Sequence, residues 1–183
     1  MQKFTAVLVA LIFFTVSCGE SVEKYRNEIE TLSTNWQETT NMVTDLLGKV
    51  QGEQSKAQTM LAQMEMPEGF TMTQDEVQEA QKLKATVQEK VGTLSSMVQT
   101  ISAFAQDWQS KASEVEALTG ALTSGEVGEG MEAKIESLKS TVDDARNKVD
   151  EWNSAYDDAT QSYTSAYDDF MELLPEEDAE GDM

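Results

Sequence analysis

The sequence predicts an all-α protein, an elongated antiparallel three-helix coiled-coil bundle with helices over about 20–65, 73–121 and 129–173. Three observations carry that expectation. Apolar residues recur three and four apart along three long stretches, the stretches are nearly equal in length, and each join is short and marked by Pro or Gly. A stripe that returns every 3.5 residues or so keeps to one side of an α-helix only when the helix supercoils against partners. Helices of roughly 45 residues, each about 65 to 70 Å long, find those partners by folding back on one another when their connections are short.

The first stripe runs through Val22, Tyr25, Ile29, Leu32, Trp36, Thr39, Val43, Leu46, Val50, Glu53, Ala57, Met60 and Met64, and Leu47 and Leu61 widen it. It stops at Met66-Pro67-Glu68-Gly69-Phe70, where Pro and Gly break the pattern. Thr73 followed three residues later by Glu76 reads as a capping box opening the second helix. The second stripe is Val77, Ala80, Lys84, Val87, Val91, Leu94, Val98, Ile101, Ala105, Trp108, Ala112, Val115, Thr119 and Leu122, broadened by Leu83, Phe104 and Leu118. Gly92 inside it costs about 1 kcal/mol relative to Ala, which the neighbours in register outweigh. Gly120, Gly125, Gly128 and Gly130 suit a turn. The third stripe is the most regular: Met131, Ile135, Leu138, Val142, Ala145, Val149, Trp152, Tyr156, Ala159, Tyr163, Ala166, Phe170 and Leu173, with no Pro or Gly between.

The turns also suggest a register. If 65 faces 74 and 121 faces 129, level residue numbers add to about 139 between the first and second helices and about 250 between the second and third. Glu53 and Lys84, charges lying in apolar stripes, then come level and are expected to pair across the seam. Trp36, Phe104, Trp108 and Trp152 fall within about three turns of one another. On the exposed faces, Asp45 with Lys49, Asp107 with Lys111 and Asp144 with Lys148 are spaced to pair at i, i+4.

Composition removes whole classes of function. A net charge of −21 and a pI near 4.1 leave no clustered Lys and Arg for phosphates, so nucleic acid is not an expected partner. Direct adhesion to anionic lipid head groups is disfavoured by the same sign. Histidine is absent and Cys18 is the only cysteine. That takes away the commonest general base, the usual zinc ligands and every Cys-His or Ser-His-Asp arrangement. Carboxylates are plentiful, but driving one pKa up and another down needs a concave dry site, which a narrow bundle does not offer. No catalytic residue, metal site or cofactor is therefore expected. A short repeat, Ser154-Ala155-Tyr156-Asp157-Asp158 and Ser165-Ala166-Tyr167-Asp168-Asp169, sets two acid pairs on one face, about 16 Å apart and too distant to share one Ca²⁺ ion.

The N-terminus suggests an address. Lys3 precedes Phe4 to Phe14, a mostly apolar run well short of the roughly twenty residues a spanning helix requires. This is the shape of a signal peptide over residues 1–17. Its end, Thr15-Val16-Ser17-Cys18-Gly19, resembles the lipobox of bacterial lipoproteins, with Thr15 where that family usually has Leu. The resemblance implies cleavage between Ser17 and Cys18, a diacylglycerol thioether on Cys18 and acylation of its new amino group. Two or three acyl chains are enough for stable anchoring. Gly19, in place of the aspartate that retains such proteins at the inner membrane, points by the same analogy to the outer membrane of the cell envelope. Residues 18–174 would then be a lipid-anchored bundle and 175–183 a disordered acidic tail. In plan this is similar to the murein lipoprotein, an acylated cysteine followed by heptads. The chain shows Gly181-Asp182-Met183 where that family has a lysine for peptidoglycan, so wall attachment by that route is not expected.

Residues free to meet a partner are expected at the turn farthest from the lipid, where Met60, Met64, Met66 and Met72 crowd around Phe70. Methionine fills gaps in cores and also makes adaptable contact surfaces. Met64, Met66, Phe70 and Met72, together with Tyr167 beside the third stripe, are the candidate contact residues. The functional expectation is an envelope lipoprotein acting as a spacer or protein-interaction rod, its partner another envelope protein. Self-association through Leu47 and Leu61 is a further expectation. The alternative is a carrier of lipid or a small hydrophobic ligand, whose long amphipathic helices open onto lipid as those of exchangeable apolipoproteins do.

Overall fold

Each stripe winds into a single α-helix. The computed structural model describes residues 20–66, 71–126 and 130–174, and among them the regular structure is α1 (Glu20–Gln63), α2 (Gln74–Ser124) and α3 (Met131–Glu172). The 44, 51 and 42 residues of these helices pack up-down-up, each against both others. No helix among the described residues is long and apolar enough to cross a membrane. The segment 1–17, Cys18, Phe70 and the tail 175–183 lie outside the described residues.

The ends are set by local chemistry. At Thr73 the capping box forms as expected. The Glu76 amide donates to Thr73 Oγ1 at 3.3 Å, while the Thr73 amide donates to Glu76 Oε2 at 2.7 Å. These two bonds satisfy donors that the first turn leaves without partners, and the Thr73 amide, with the Thr73 hydroxyl donating to the same oxygen, holds the Glu76 carboxyl below its ordinary value. α2 continues three residues beyond the expected 121 because Gly120 does not stop it. Gly125 does, at φ 73°, with its N–H on Leu122 O and the Glu126 N–H on Ala121 O, a Schellman closure. Gly130, at φ 93°, turns the chain into α3.

Burial follows the stripes in α1 and α3. Every expected α3 position is buried except Trp152, Tyr156 and Leu173, which are half-buried. α2 differs. Its one fully buried column is Ala80, Val87, Leu94, Ile101, Trp108 and Val115, and the adjoining positions divide between two neighbours. Lys84 lies on the side that meets the end of α1, and Phe104 on the side that meets Trp152 of α3. Leu83, Met97 and Leu118, which share the heptad column of Phe104, are buried, whereas Val91, Val98 and Ala105 are half-buried. The expected stripe followed the α1 side and passed over Met97.

The register departs from expectation for one helix only. Lys84 meets Met64 and Trp108 meets Thr40, pairs whose numbers add to 148, and Trp36 stacks on Trp108, a pair adding to 144. Phe104 meets Trp152, adding to 256. Both sums exceed the expected ones by a similar amount, so the errors cancel between α1 and α3. Lys139 with Glu28 and Tyr163 with Glu53 are separated by 111 and 110 in number, and the expected sums differ by 111. The cause is the first connection: α1 ends at Gln63 and α2 starts at Gln74, so α2 runs about nine residues, roughly 13 Å, past the ends of its neighbours.

Two expected sets of ion pairs are therefore corrected. Glu53 does not meet Lys84, whose ammonium donates instead to Met64 O at 2.8 Å. The i, i+4 pairs built on Asp45, Asp107 and Asp144 do not form among the described residues. The pairs that form within helices are Glu23 with Arg26, Glu53 with Lys56, Glu79 with Lys82 and Glu136 with Lys139, all i, i+3, and the adjacent Glu89 and Lys90. Every one uses Glu, whose extra methylene reaches along the helix where Asp falls short.

Gly92 sits on an exposed face, and a Cβ built there meets nothing within 4 Å. Gly92→Ala is expected to stabilise the bundle by about 1 kcal/mol, read as a higher denaturation midpoint at unchanged slope. A lower midpoint would show that this helix face is occupied.

Candidate functional site

Three groups of side chains stand out from the repeating core. The first is an aromatic belt across all three helices. Trp36 stacks on Trp108 with ring centroids 3.7 Å apart and planes at 10°. Phe104 continues the row at 6.0 Å from Trp108 and meets the edge of Trp152 at 5.2 Å. The Trp108 indole N–H donates to Thr40 Oγ1 at 2.8 Å, and Thr40 passes its own hydroxyl proton to Trp36 O. Beside it Thr39, fully buried, donates to Asn35 O and receives Arg146 Nε, so its hydroxyl is satisfied. Arg146 also reaches Asn35 and Glu38, which ties α3 to α1. Trp36 and Trp108 are buried and Trp152 is half-buried, so the belt is packing.

The second group is a polar layer in the apolar seam. The Tyr163 hydroxyl donates to Glu53 Oε1, and Lys56 donates to the same oxygen at 3.1 Å. Burial pushes the Glu53 carboxyl up, but the bonds from Tyr163 and Lys56 and the ammonium charge outweigh it and hold the group below its ordinary value. Burial, then the bond to Glu53 and its charge, push the Tyr163 phenol far above its ordinary value. Tyr156 is pushed up as well, by burial and by the charge of Glu53. This is where the expected interhelical charge pairing is replaced: Tyr163 reaches Glu53 from α3, a partner the stripe pattern counted as core filler.

The third group is the end of the bundle formed by the first connection and the end of α3. Of the candidate contact residues, Met66 is 49 % exposed, Met72 is half-buried against the core, and Met64 is 1 % exposed and belongs to the core. Met64 is buried because the α2 overhang covers the end of α1. Tyr167 is half-buried, and its hydroxyl donates to Gln63 Oε1 at 2.9 Å. One exposed residue at this end was missed. Met171 is 41 % exposed, and with Met42 and Met66 it completes the large apolar side chains exposed among the described residues. All three lie off the stripes, which is the signal that could have found them.

The acidic repeat on α3 does not gather. Asp157, Asp158, Asp168 and Asp169 are all exposed, and among the described residues no three acids converge as metal ligands do. The copies are not equivalent, since Ala155 is exposed where Ala166 is buried. In a helix wound at 3.5 residues per turn, an eleven-residue step rotates by about 50°. Surface depressions run along α1 beside Asn27, Thr31 and Asn35 and along α3 beside Asp157, Thr160 and Asp168, each bounded by a single helix.

No protein-family model matches the chain, and no curated protein and no solved structure matches it.

Proposed function

We propose that this chain is a lipid-anchored rod of the bacterial cell envelope, probing or spacing rather than catalysing, held to the membrane through Cys18 and offering its opposite end to another envelope protein. The observation that carries the reading is the position of Cys18. It follows small residues at the close of an apolar run too short to span a bilayer. α1 begins at Glu20, so an acyl anchor on Cys18 would sit two residues from the bundle. Helices of 42 to 51 residues would then carry the far end about 65 Å from the lipid. The inward-facing stripes support a rod over a carrier, because the apolar side chains that would lie on lipid are already committed to neighbouring helices.

The test is metabolic labelling with a radioactive or clickable fatty acid in a bacterial host, followed by membrane fractionation. The parent chain is expected to take up label and sediment with the envelope. Cys18→Ser is expected to lose the label and fail to be cut after Ser17. Equal labelling of both chains, or none in either, would overturn the anchor.

A further inference from the structure

The bundle is blunt at one end and stepped at the other. Where α1 and α3 stop, α2 continues for about nine residues, and the step is lined by the chain on either side of it. Met66 and Met171 stand exposed there, while Tyr167, Met72, Leu173 and Leu174 are half-buried against the same core cluster. Two of the three exposed large apolar side chains among the described residues therefore share this end.

Charge around the step is one-sided. Glu65 just past the end of α1, Asp75 and Glu79 on the overhang, and Asp168, Asp169 and Glu172 on α3 are exposed. The nearby cations are Lys82, which leans toward Glu79 at 3.8 Å, and Lys84, which is spent on the Met64 carbonyl. From Val149 to the C-terminus the sequence has no Lys or Arg at all. Farther from the step, Glu28 and Glu38 are partnered across helices by Lys139 and Arg146. An apolar patch ringed by unmatched carboxylates rejects a second copy of this acidic chain and suits a polypeptide of opposite charge.

We infer that the stepped end of the bundle is a docking site for a cationic amphipathic helix of a partner protein, whose apolar side chains seat between Met66 and Met171 while its Lys and Arg meet the carboxylates around them. The flexible thioethers accommodate an apolar face of varied shape, and the overhang of α2 supplies one wall against which a helix can lie. The inference names the partner chemistry of the proposed rod and takes from that reading only the assignment of this end as the one away from the membrane.

The test uses the full chain in a neutral detergent, with methionine methyl groups labelled for NMR and empty micelles subtracted. The probe is a synthetic Leu/Lys amphipathic helix of about twenty residues, compared with a Leu/Glu counterpart and with oligolysine. The Leu/Lys helix is expected to shift Met66 and Met171 and leave Met97 and Met131 in place. Replacing both Met66 and Met171 with Ser should weaken binding at least tenfold without changing helicity, and Asp168→Asn with Asp169→Asn should weaken it and flatten its salt dependence. Oligolysine binding as well as the Leu/Lys helix would overturn the site in favour of diffuse charge attraction. So would Met42 shifting as much as Met66 and Met171, or undiminished binding by the double Ser variant. None of these readouts depends on Cys18, so failure of the anchor and failure of the docking site are told apart.

Discussion

Trp108→Ala is expected to destabilise the bundle by about 3–5 kcal/mol, the range for removing a large aromatic side chain from a packed interior. Trp108 is 4 % exposed, stacked on Trp36 and with Phe104 as its second ring neighbour. Its removal would leave Trp36 facing a void, take the indole proton from Thr40, and free Phe104 from one of its two aromatic neighbours. Because the row runs from α1 through α2 to α3, the loss would be felt at both interfaces of α2 at once. Trp108→Phe should recover more than half of the difference, since it restores most of the ring area and loses only the Thr40 bond. Helicity followed by circular dichroism through a urea titration reads both values. A cost below about 1 kcal/mol for Trp108→Ala would show that the belt is not packed in solution.

Tyr163→Phe removes a single oxygen from the core and is expected to cost about 1–3 kcal/mol at neutral pH, because it leaves a half-buried carboxylate without its principal donor. Its pH dependence is the sharper result. In the parent chain Glu53 is held below its unfolded value of 4.5. Its contribution to stability is therefore complete above that value and is lost as pH falls through the lower folded one. Without the phenol, Glu53 loses the strongest of the influences that lower its pKa, leaving Lys56 and Tyr156 to oppose burial, so its folded pKa rises relative to the parent. The charged carboxylate would then favour folding less than it does in the parent, and protonation removes that difference. The stability gap between parent and variant should accordingly be widest near pH 7 and close as pH falls below about 4. Comparing the two chains removes the titration of the many other acids, which both share. A gap that widens on acidification would mean that Tyr163 does not serve Glu53.

Much of the architecture was legible in one dimension. The three-and-four spacing and the Thr73, Glu76 cap are local, so they read directly: burial in α1 and α3 falls where the spacing puts it, and both capping bonds are made. The stop at Gly120 was misread because helix end and mid-helix glycine look alike until a residue with positive φ is found, and that residue is Gly125. Exposed methionines off the stripes, Met66 and Met171, were equally readable, although only Met66 was picked out.

What the sequence by itself determined is the period of its apolar residues. That period compels three helices to wind together and leaves carboxylates on the outside. What only the tertiary structure decided is the height of α2 between its neighbours, and with it every contact that crosses to α2. Heptads repeat, so sliding a helix by seven residues returns apolar side chains to apolar side chains and changes the hydrophobic energy little. The choice among such registers falls to aperiodic groups that must find one another in space: Trp108 on Trp36, Lys84 on the Met64 carbonyl, and Phe104 on Trp152. The same shift makes the stepped end, where α2 runs past the helices beside it while Ala80 and Leu83 stay buried in the core cluster.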